Sequence, residues 1–238
     1  MKTILCLLVV FAALYAQPQR PVEEFSTKLG PVKVTPIRHA SLMIEAGGQV
    51  IHVDPAQGDF EGLPQADLIL ITHTHGDHLS EMIIAVLKKP GTQILGPEVV
   101  AKALPGTTLI GAGETREFGK WKIEAVPAYN IQRMRSAGQP YHPKGEGVGY
   151  VLDYGGTRFY IAGDTEAIPE MKALKNIHAA FLPMNLPFTM TPEEAAEAVR
   201  AFKPKIVYPY HCRGADLKAF EKALAGSGVE VRIRDWYY

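Results

Sequence analysis

Three imidazoles and a carboxylate fall within one six-residue run, His73-Thr74-His75-Gly76-Asp77-His78. Imidazole and carboxylate donors at this density suit zinc or another borderline transition metal. The preceding Leu68-Ile69-Leu70-Ile71 is apolar throughout, as a buried strand is, so the cluster sits at a strand end. Residues two apart in extended chain point the same way, which puts His73 and His75 on one side. Gly76 permits the bend that brings Asp77 and His78 toward a second point.

Such a cluster needs a rigid frame. Strand patterns run over Val32–Ile37, Ser41–Glu45 and Val50–Val53, the last two parted by the Gly47-Gly48 turn. Helical spacing covers Leu79–Leu87 and stops before Pro90-Gly91, and a second helix is expected over Val99–Leu104. Leu109-Ile110, Arg116–Phe118 and Trp121–Val126 read as strands. Gly147–Tyr154 and Thr157–Ile161 form a hairpin around Gly155-Gly156, followed by a strand over Ala179–Leu182. Thr191-Pro192-Glu193-Glu194 opens a helix running to about Phe202, with an N-cap Thr, a Pro at the first position and a capping-box Glu. A strand over Ile206–Tyr208 and a helix over Asp216–Ala225 close the pattern. Strands lead and helices follow in each half, without regular alternation. An α/β fold with two sheets covered by helices, a four-layer αββα sandwich, accommodates this order.

The chain has 238 residues, 47% of them hydrophobic, enough for one well-buried domain core. Its 25 basic and 25 acidic residues balance, and no nucleic-acid patch is evident. Met1-Lys2-Thr3, the apolar run Ile4–Ala13 and the small Ala16 read as a secretory signal over residues 1–16, which implies a secreted or periplasmic protein. The apolar run is shorter than the roughly 20 residues of a membrane span, so no membrane anchor is expected in the mature chain. Residues 17–26, with Pro18 and Pro21, read as a flexible lead, and 27–238 as the domain. Cys6 falls in the signal segment, which leaves Cys212 alone and read as a passive small side chain. His52 and His178 alternate with apolar strand residues and read as structural.

The run His73–His78 resembles the His-x-His-x-Asp-His signature of the metallo-β-lactamase superfamily. The likeness extends over nearly the whole chain from about Val32: Gly163-Asp164-Thr165 follows one strand, Pro209-Tyr210-His211 another, and Val53-Asp54-Pro55 a third. Further segments, among them His39-Ala40-Ser41, Pro127-Ala128-Tyr129-Asn130 and His142-Pro143-Lys144-Gly145-Glu146-Gly147, are similar to the L-ascorbate-6-phosphate lactonase-like branch. The resemblance implies that His73 and His75 hold one metal, that Asp77, His78 and His211 hold a second, and that Asp164 bridges them. Two zinc ions are expected, with manganese or iron as alternatives.

The implied reaction is hydrolysis of an ester, lactone, amide or phosphodiester bond in a small-molecule substrate by a metal-bound hydroxide. Asp77 and His142 are the candidate catalytic groups. Asp54, His39, Asn130 and Tyr129 are candidates for supporting the ligands or contacting substrate. One departure stands out: where many members supply a further histidine to the first metal, this chain has Asn130. Asn is a weak ligand beside imidazole. His142 is the nearest replacement, and its type allows metal ligation, proton donation or substrate contact. Arg133, Arg135 and Lys144 in the same loop are candidates for an anionic substrate group. The competing reading is a degenerate, non-catalytic metal-binding or interaction protein of the same fold. Oligomeric state is not encoded in any motif.

Overall fold

The structure is a computed structural model, and residues 20–237 are described. The expected signal segment, residues 1–16, lies outside them. The first sheet holds seven strands in sequence order: β1 (Glu23–Thr27), β2 (Gly30–Arg38), β3 (Ser41–Ala46), β4 (Gln49–Val53), β5 (Ala66–Leu70), β6 (Lys88–Gly96) and β7 (Thr108–Leu109). Helices α1 (Glu81–Leu87) and α2 (Glu98–Ala103) flank β6 in sequence. The second sheet has the order β16-β15-β14-β13-β12-β9-β8, built from β8 (Thr115–Phe118), β9 (Trp121–Ala128), β12 (Gly147–Tyr154), β13 (Thr157–Ile161), β14 (Ile177–Pro183), β15 (Ile206–Tyr210) and β16 (Glu230–Val231). Between β9 and β12 a small two-stranded ribbon, β10 (Met134–Ser136) and β11 (Gln139–Pro140), stands by itself. Helices α3 (Pro169–Lys172), α4 (Pro192–Phe202) and α5 (Leu217–Ala223) belong to the second half.

Side-chain alternation explains the layering. In β3, Leu42 and Ile44 join the core that also contains Tyr150, Leu152 and Phe159 of the other sheet. Met43 faces away and joins Ile69, Ile71, Ile84 and Leu87 under α1. A stretch with both faces buried reads as continuous apolar sequence, as Leu68, Ile69 and Leu70 of β5 do. The expected α/β sandwich is therefore the observed fold, two mixed sheets face to face with helices outside.

One expectation needs correction. The lead expected over residues 17–26 is in part regular: Glu23–Thr27 pairs antiparallel with β2, and its Phe25 is buried edge-to-face on Phe159 at 5.2 Å. Helix α1 ends at Leu87, before Pro90-Gly91 as expected, and Pro90-Gly91 lies inside β6. The irregularity is absorbed by a register shift against β5, by Gly91 at φ +89°, and by Thr92, whose hydroxyl donates to Ala66 O and accepts from Lys89 N–H. The capping box of α4 forms as its sequence specifies, with Thr191 and Glu194 each accepting the other's backbone N–H. Trp236 packs closely, at 1% exposure, among Phe181 and Tyr210.

Parallel pairing occurs in the middle of each sheet, between β4, β5 and β6 and between β13, β14 and β15. Carboxyl ends of parallel strands are where open α/β sheets place ligands, because the chain leaves there into loops. Asp54 follows β4, His73 follows β5, Asp164 follows β13 and His211 follows β15.

Candidate metal centre

Backbone contacts bring the two sheets together at these strand ends. Val148 N–H donates to Thr72 O at 3.0 Å, and Tyr150 Oη donates to Ile71 O at 2.7 Å. Gly163 sits at φ +64°, and a Cβ there would come within 2.9 Å of Val148 O and 3.1 Å of Thr72 Cβ. Only glycine lets the turn carrying Asp164 approach this closely. His39, Asp54 and His211 also hold positive φ, at 58°, 45° and 43°. Non-glycine residues in that region cluster at functional sites, where the surroundings hold them in place.

Donor atoms converge in three overlapping groups. His73, His75, His142 and Asp164 form one, His78, Asp164 and His211 another, and His39, Asp77 and His211 a third, with the candidate donor atoms of each group within 4.8 Å of one another. Asp164 is common to the first two, and His211 to the last two. Its Oδ2 lies 3.2 Å from His142 Nε2 and 3.9 Å from His73 Nε2, and its Oδ1 lies 3.4 Å from both His78 Nε2 and His211 Nε2. Asp77 Oδ2 stands 3.3 Å from His211 Nε2 and 3.9 Å from His78 Nε2.

The partners behind these rings set which nitrogen is bare. The buried Asp54 carboxylate accepts from Thr72 N–H, Thr72 Oγ1 and His78 Nδ1, each at 2.7 Å. Thr72 Oγ1, having given its proton to Asp54, accepts from His73 Nδ1 at 3.0 Å. His142 Nδ1 donates to Asn130 Oδ1 at 2.7 Å, and the Asn130 amide is itself fixed by donation to Phe188 O at 2.8 Å. Each arrangement aims Nε2 inward, as supported metal-ligating histidines do. Asn130 therefore does not replace the missing histidine as a donor. It orients His142, which occupies the open place beside His73 and His75.

Sequence reasoning missed a further link. Asp77 can only accept, so His39 Nε2 carries the proton of their 3.1 Å contact. Burial lowers the pKa of His39, leaving it neutral with a bare Nδ1, which accepts from Tyr237 Oη at 2.9 Å. The same phenol oxygen accepts Cys212 N–H at 3.0 Å. The only signal in the sequence was the aromatic pair Trp236-Tyr237, which reads equally well as packing. Cys212 is no nucleophile, since burial and then Asp235 push its thiol up to about 11. Tyr129 stands apart from the donor groups; its hydroxyl donates to Glu170 at 3.0 Å and its ring lies under Lys144. His52 donates to Pro64 O and His178 packs edge-to-face on Phe25, both away from the centre.

The electrostatics fit a cation. Burial alone would raise the pKa of Asp164, but His211 and His78 outweigh it and keep the carboxylate ionised. Burial, reinforced by His78, drives His73 well below the ordinary imidazole value and holds it neutral. Among the described residues, His73 Nε2, His78 Nε2 and Asp164 Oδ1 are buried without any hydrogen-bond partner. Buried polar atoms are nearly always paired, and three unpaired ones within the donor groups that share Asp164 suit a bound cation. The residues present fit a metal.

A cavity of about 320 Å³ opens over the donors, lined by His75, Asp77, His142, Asp164 and His211 and walled by Arg135, Tyr141 and Phe188. Residues 33–211 match the family model described as a β-lactamase superfamily domain. A UPF0173 metal-dependent hydrolase from Thermococcus onnurineus is 34% identical over 222 residues, covering 85% of this chain and 96% of that protein. One from Pyrococcus furiosus is 31% identical with the same coverage. A crystal structure from Parabacteroides distasonis, described as a candidate metal-dependent hydrolase, is 44% identical, with TM-score 0.87 over 92% of this chain and 100% of that one. Igni18, a metallo hydrolase from Ignicoccus hospitalis, shares the fold at 24% identity and TM-score 0.69, covering 87% of this chain and 96% of its own.

Proposed function

This chain belongs to the metal-dependent hydrolases of the β-lactamase superfamily, and from that premise we propose that it cleaves an ester, lactone, amide or phosphodiester bond at a two-ion centre. In this reading His73, His75 and His142 hold one ion, Asp77, His78 and His211 hold the other, and Asp164 serves both. Zinc suits a set so rich in imidazole. When bound, the metal supplies Lewis-acid polarisation of the scissile group and lowers the pKa of an attacking water.

The single observation that carries this reading is the set of orphaned atoms His73 Nε2, His78 Nε2 and Asp164 Oδ1, with His142 completing the first donor group. The chain's own residues do the positioning. Asp54 and Thr72 fix the rings of His78 and His73, Asn130 fixes His142, and His39 holds Asp77. Tyr141 and Phe188 keep one wall of the cavity apolar, which limits water around the reacting groups. The lactonase-like motifs of the sequence favour a lactone or related ester within the bond types named. Export of the chain, carried by residues 1–16, belongs to the same proposal and predicts a mature protein beginning near Gln17.

Metal content measured together with turnover on an ester, lactone, amide and phosphodiester panel tests the reading. About two metals per chain with turnover is the expected result, and His142→Ala should lose close to one of them. One metal or none, with no turnover on any member of the panel, would instead support the degenerate binding protein.

A further inference from the structure

Resting on the hydrolase reading, we infer that the site selects substrates bearing an anionic oxygen group, a carboxylate or a phosphate, and that Arg135 recognises that charge. The segment from Ile131 to Lys144 carries three cations, and the structure accounts for them differently. Arg133 is consumed internally: its guanidinium reaches Glu166 at 2.9 Å and Glu194 at 2.7 Å. Glu166 also accepts the backbone N–H groups of Ile131, Gln132 and Arg133, so this pair pins the base of the segment. Lys144 is likewise engaged, 3.1 Å from Glu170 and over the Tyr129 ring. Arg135 is different. It is exposed, and among the described residues it makes no hydrogen bond or ion pair.

Its position gives the unpaired charge a use. Arg135 sits on β10, whose pairing with β11 (Met134 with Pro140, Ser136 with Gln139) directs the ribbon over the centre. It lines the inner cavity together with His75, His142 and Asp164, and also an adjoining outer one. The inner cavity's carboxylates, Asp77 and Asp164, are committed to histidines and leave no counter-charge for Arg135. Glu146 lines only the outer cavity, where it disfavours a second negative charge. The anionic group is thereby placed at the inner end, beside the edge-to-face pair of Tyr141 and Phe188, whose rings are 5.0 Å apart. That wall suits a flat apolar body between the charge and the scissile bond. A guanidinium fork recognises carboxylate and phosphate alike by paired hydrogen bonds.

The test uses the metal-loaded full chain and three phenyl acetates, with a para carboxylate, a para phosphate or a neutral para carboxamide. Wild type is expected to prefer an anionic member over the carboxamide by about tenfold in kcat/KM. That ratio should approach one in Arg135→Gln, recover in part in Arg135→Lys, and shrink with added salt in wild type. An unchanged ratio in Arg135→Gln, or no preference for either anion in wild type, overturns the inference. Absence of turnover on all three esters bears only on the bond type cleaved, and binding then decides the charge question. By titration calorimetry, p-toluenesulfonate should bind wild type more tightly than the neutral methyl p-tolyl sulfone, and Arg135→Gln should lose the difference. Equal binding of the two compounds to wild type overturns the inference independently of catalysis.

Discussion

Two clusters of charge, one half-buried around Glu23 and one buried around Asp164, are finished in opposite ways. Glu23 of β1 meets Arg232 Nη1 at 2.8 Å, Tyr208 Oη at 2.8 Å and the guanidinium of Arg234, and Arg232 also donates to Tyr208. That cluster closes on itself and ties the first strand to the segment after β16. The centre around Asp164 leaves His73 Nε2, His78 Nε2 and Asp164 Oδ1 unpaired. A closed polar network contributes rigidity, whereas an open one costs stability until something fills it. The difference separates a cluster built to hold from one built to bind.

The largest expected effect comes from breaking the open cluster. Asp164→Ala should lower turnover by about a thousandfold or more, since metal assistance is worth several kcal/mol. The metal-free variant should also be less stable than metal-free wild type, because buried His78 and His211 lose the carboxylate whose attraction outweighs its own burial. Wild type should gain about 4 kcal/mol when free metal reaches a thousand times its Kd. Thermal denaturation with and without chelator, run beside the assay, checks all three. Turnover equal to wild type would place the chemistry elsewhere.

Breaking the closed cluster should spare the metal centre. Glu23→Gln should cost about 1.5–3 kcal/mol of stability, the range for hydrogen bonds to charged groups, while metal content per folded chain stays unchanged. Burial would raise the pKa of Glu23, but Arg234, Tyr208 and Arg232 outweigh it and hold the carboxyl below its ordinary 4.5. A depressed folded-state value means the stabilisation is present above about 4.5 and is lost as pH falls through the folded value. The gap between wild type and Glu23→Gln in denaturant midpoint should hold steady from pH 7 toward 5 and narrow below that.

Two smaller changes sharpen the contrast at its edge. Asn130→Ala frees the His142 ring and should weaken binding of the first metal by about tenfold, near the low end for loss of a ligand's supporting hydrogen bond. Competition with a chromophoric chelator measures it, and an unaltered affinity would mean that packing alone orients His142. Tyr237→Phe removes the donor to His39 and leaves Cys212 N–H without its acceptor, at a cost of about 1 kcal/mol. A thermal shift with little change in metal affinity would assign Tyr237 to stability alone.

The parts legible in the sequence are those in which chemistry and local pattern coincide. His73 to His78 announces itself because the donors are contiguous and follow an apolar strand, and α4 because every element of its cap is local. His142 was legible as the nearest replacement for the missing histidine, but its exact role was not. Asn130 lies two residues beyond β9, and the chain then makes the β10–β11 ribbon before returning, with Asn130 N–H donating to His142 O at 2.9 Å. That closure follows from a loop geometry that no periodicity reports, so ligation, proton donation and substrate contact all stayed open for His142. Strand β1 was hidden for another reason: its polar Glu23-Glu24-Phe25-Ser26-Thr27 buries one large apolar side chain, and an edge strand needs no more. Arg133 and Arg135 look equivalent in sequence and differ only in whether a carboxylate is near.

The contact between His39 and the 236–237 segment bears on the order in which the molecule can be made. His39 N–H donates to Trp236 O at 3.1 Å, and its ring leans on Tyr237, 198 residues later. A ribosome emits His73 to His78 long before either residue. The early half of the chain thus carries most of the candidate donors, yet it lacks Asp164, His211 and the prop behind His39 until translation has nearly finished. Assembly of the donor groups in this geometry must therefore follow synthesis of both halves.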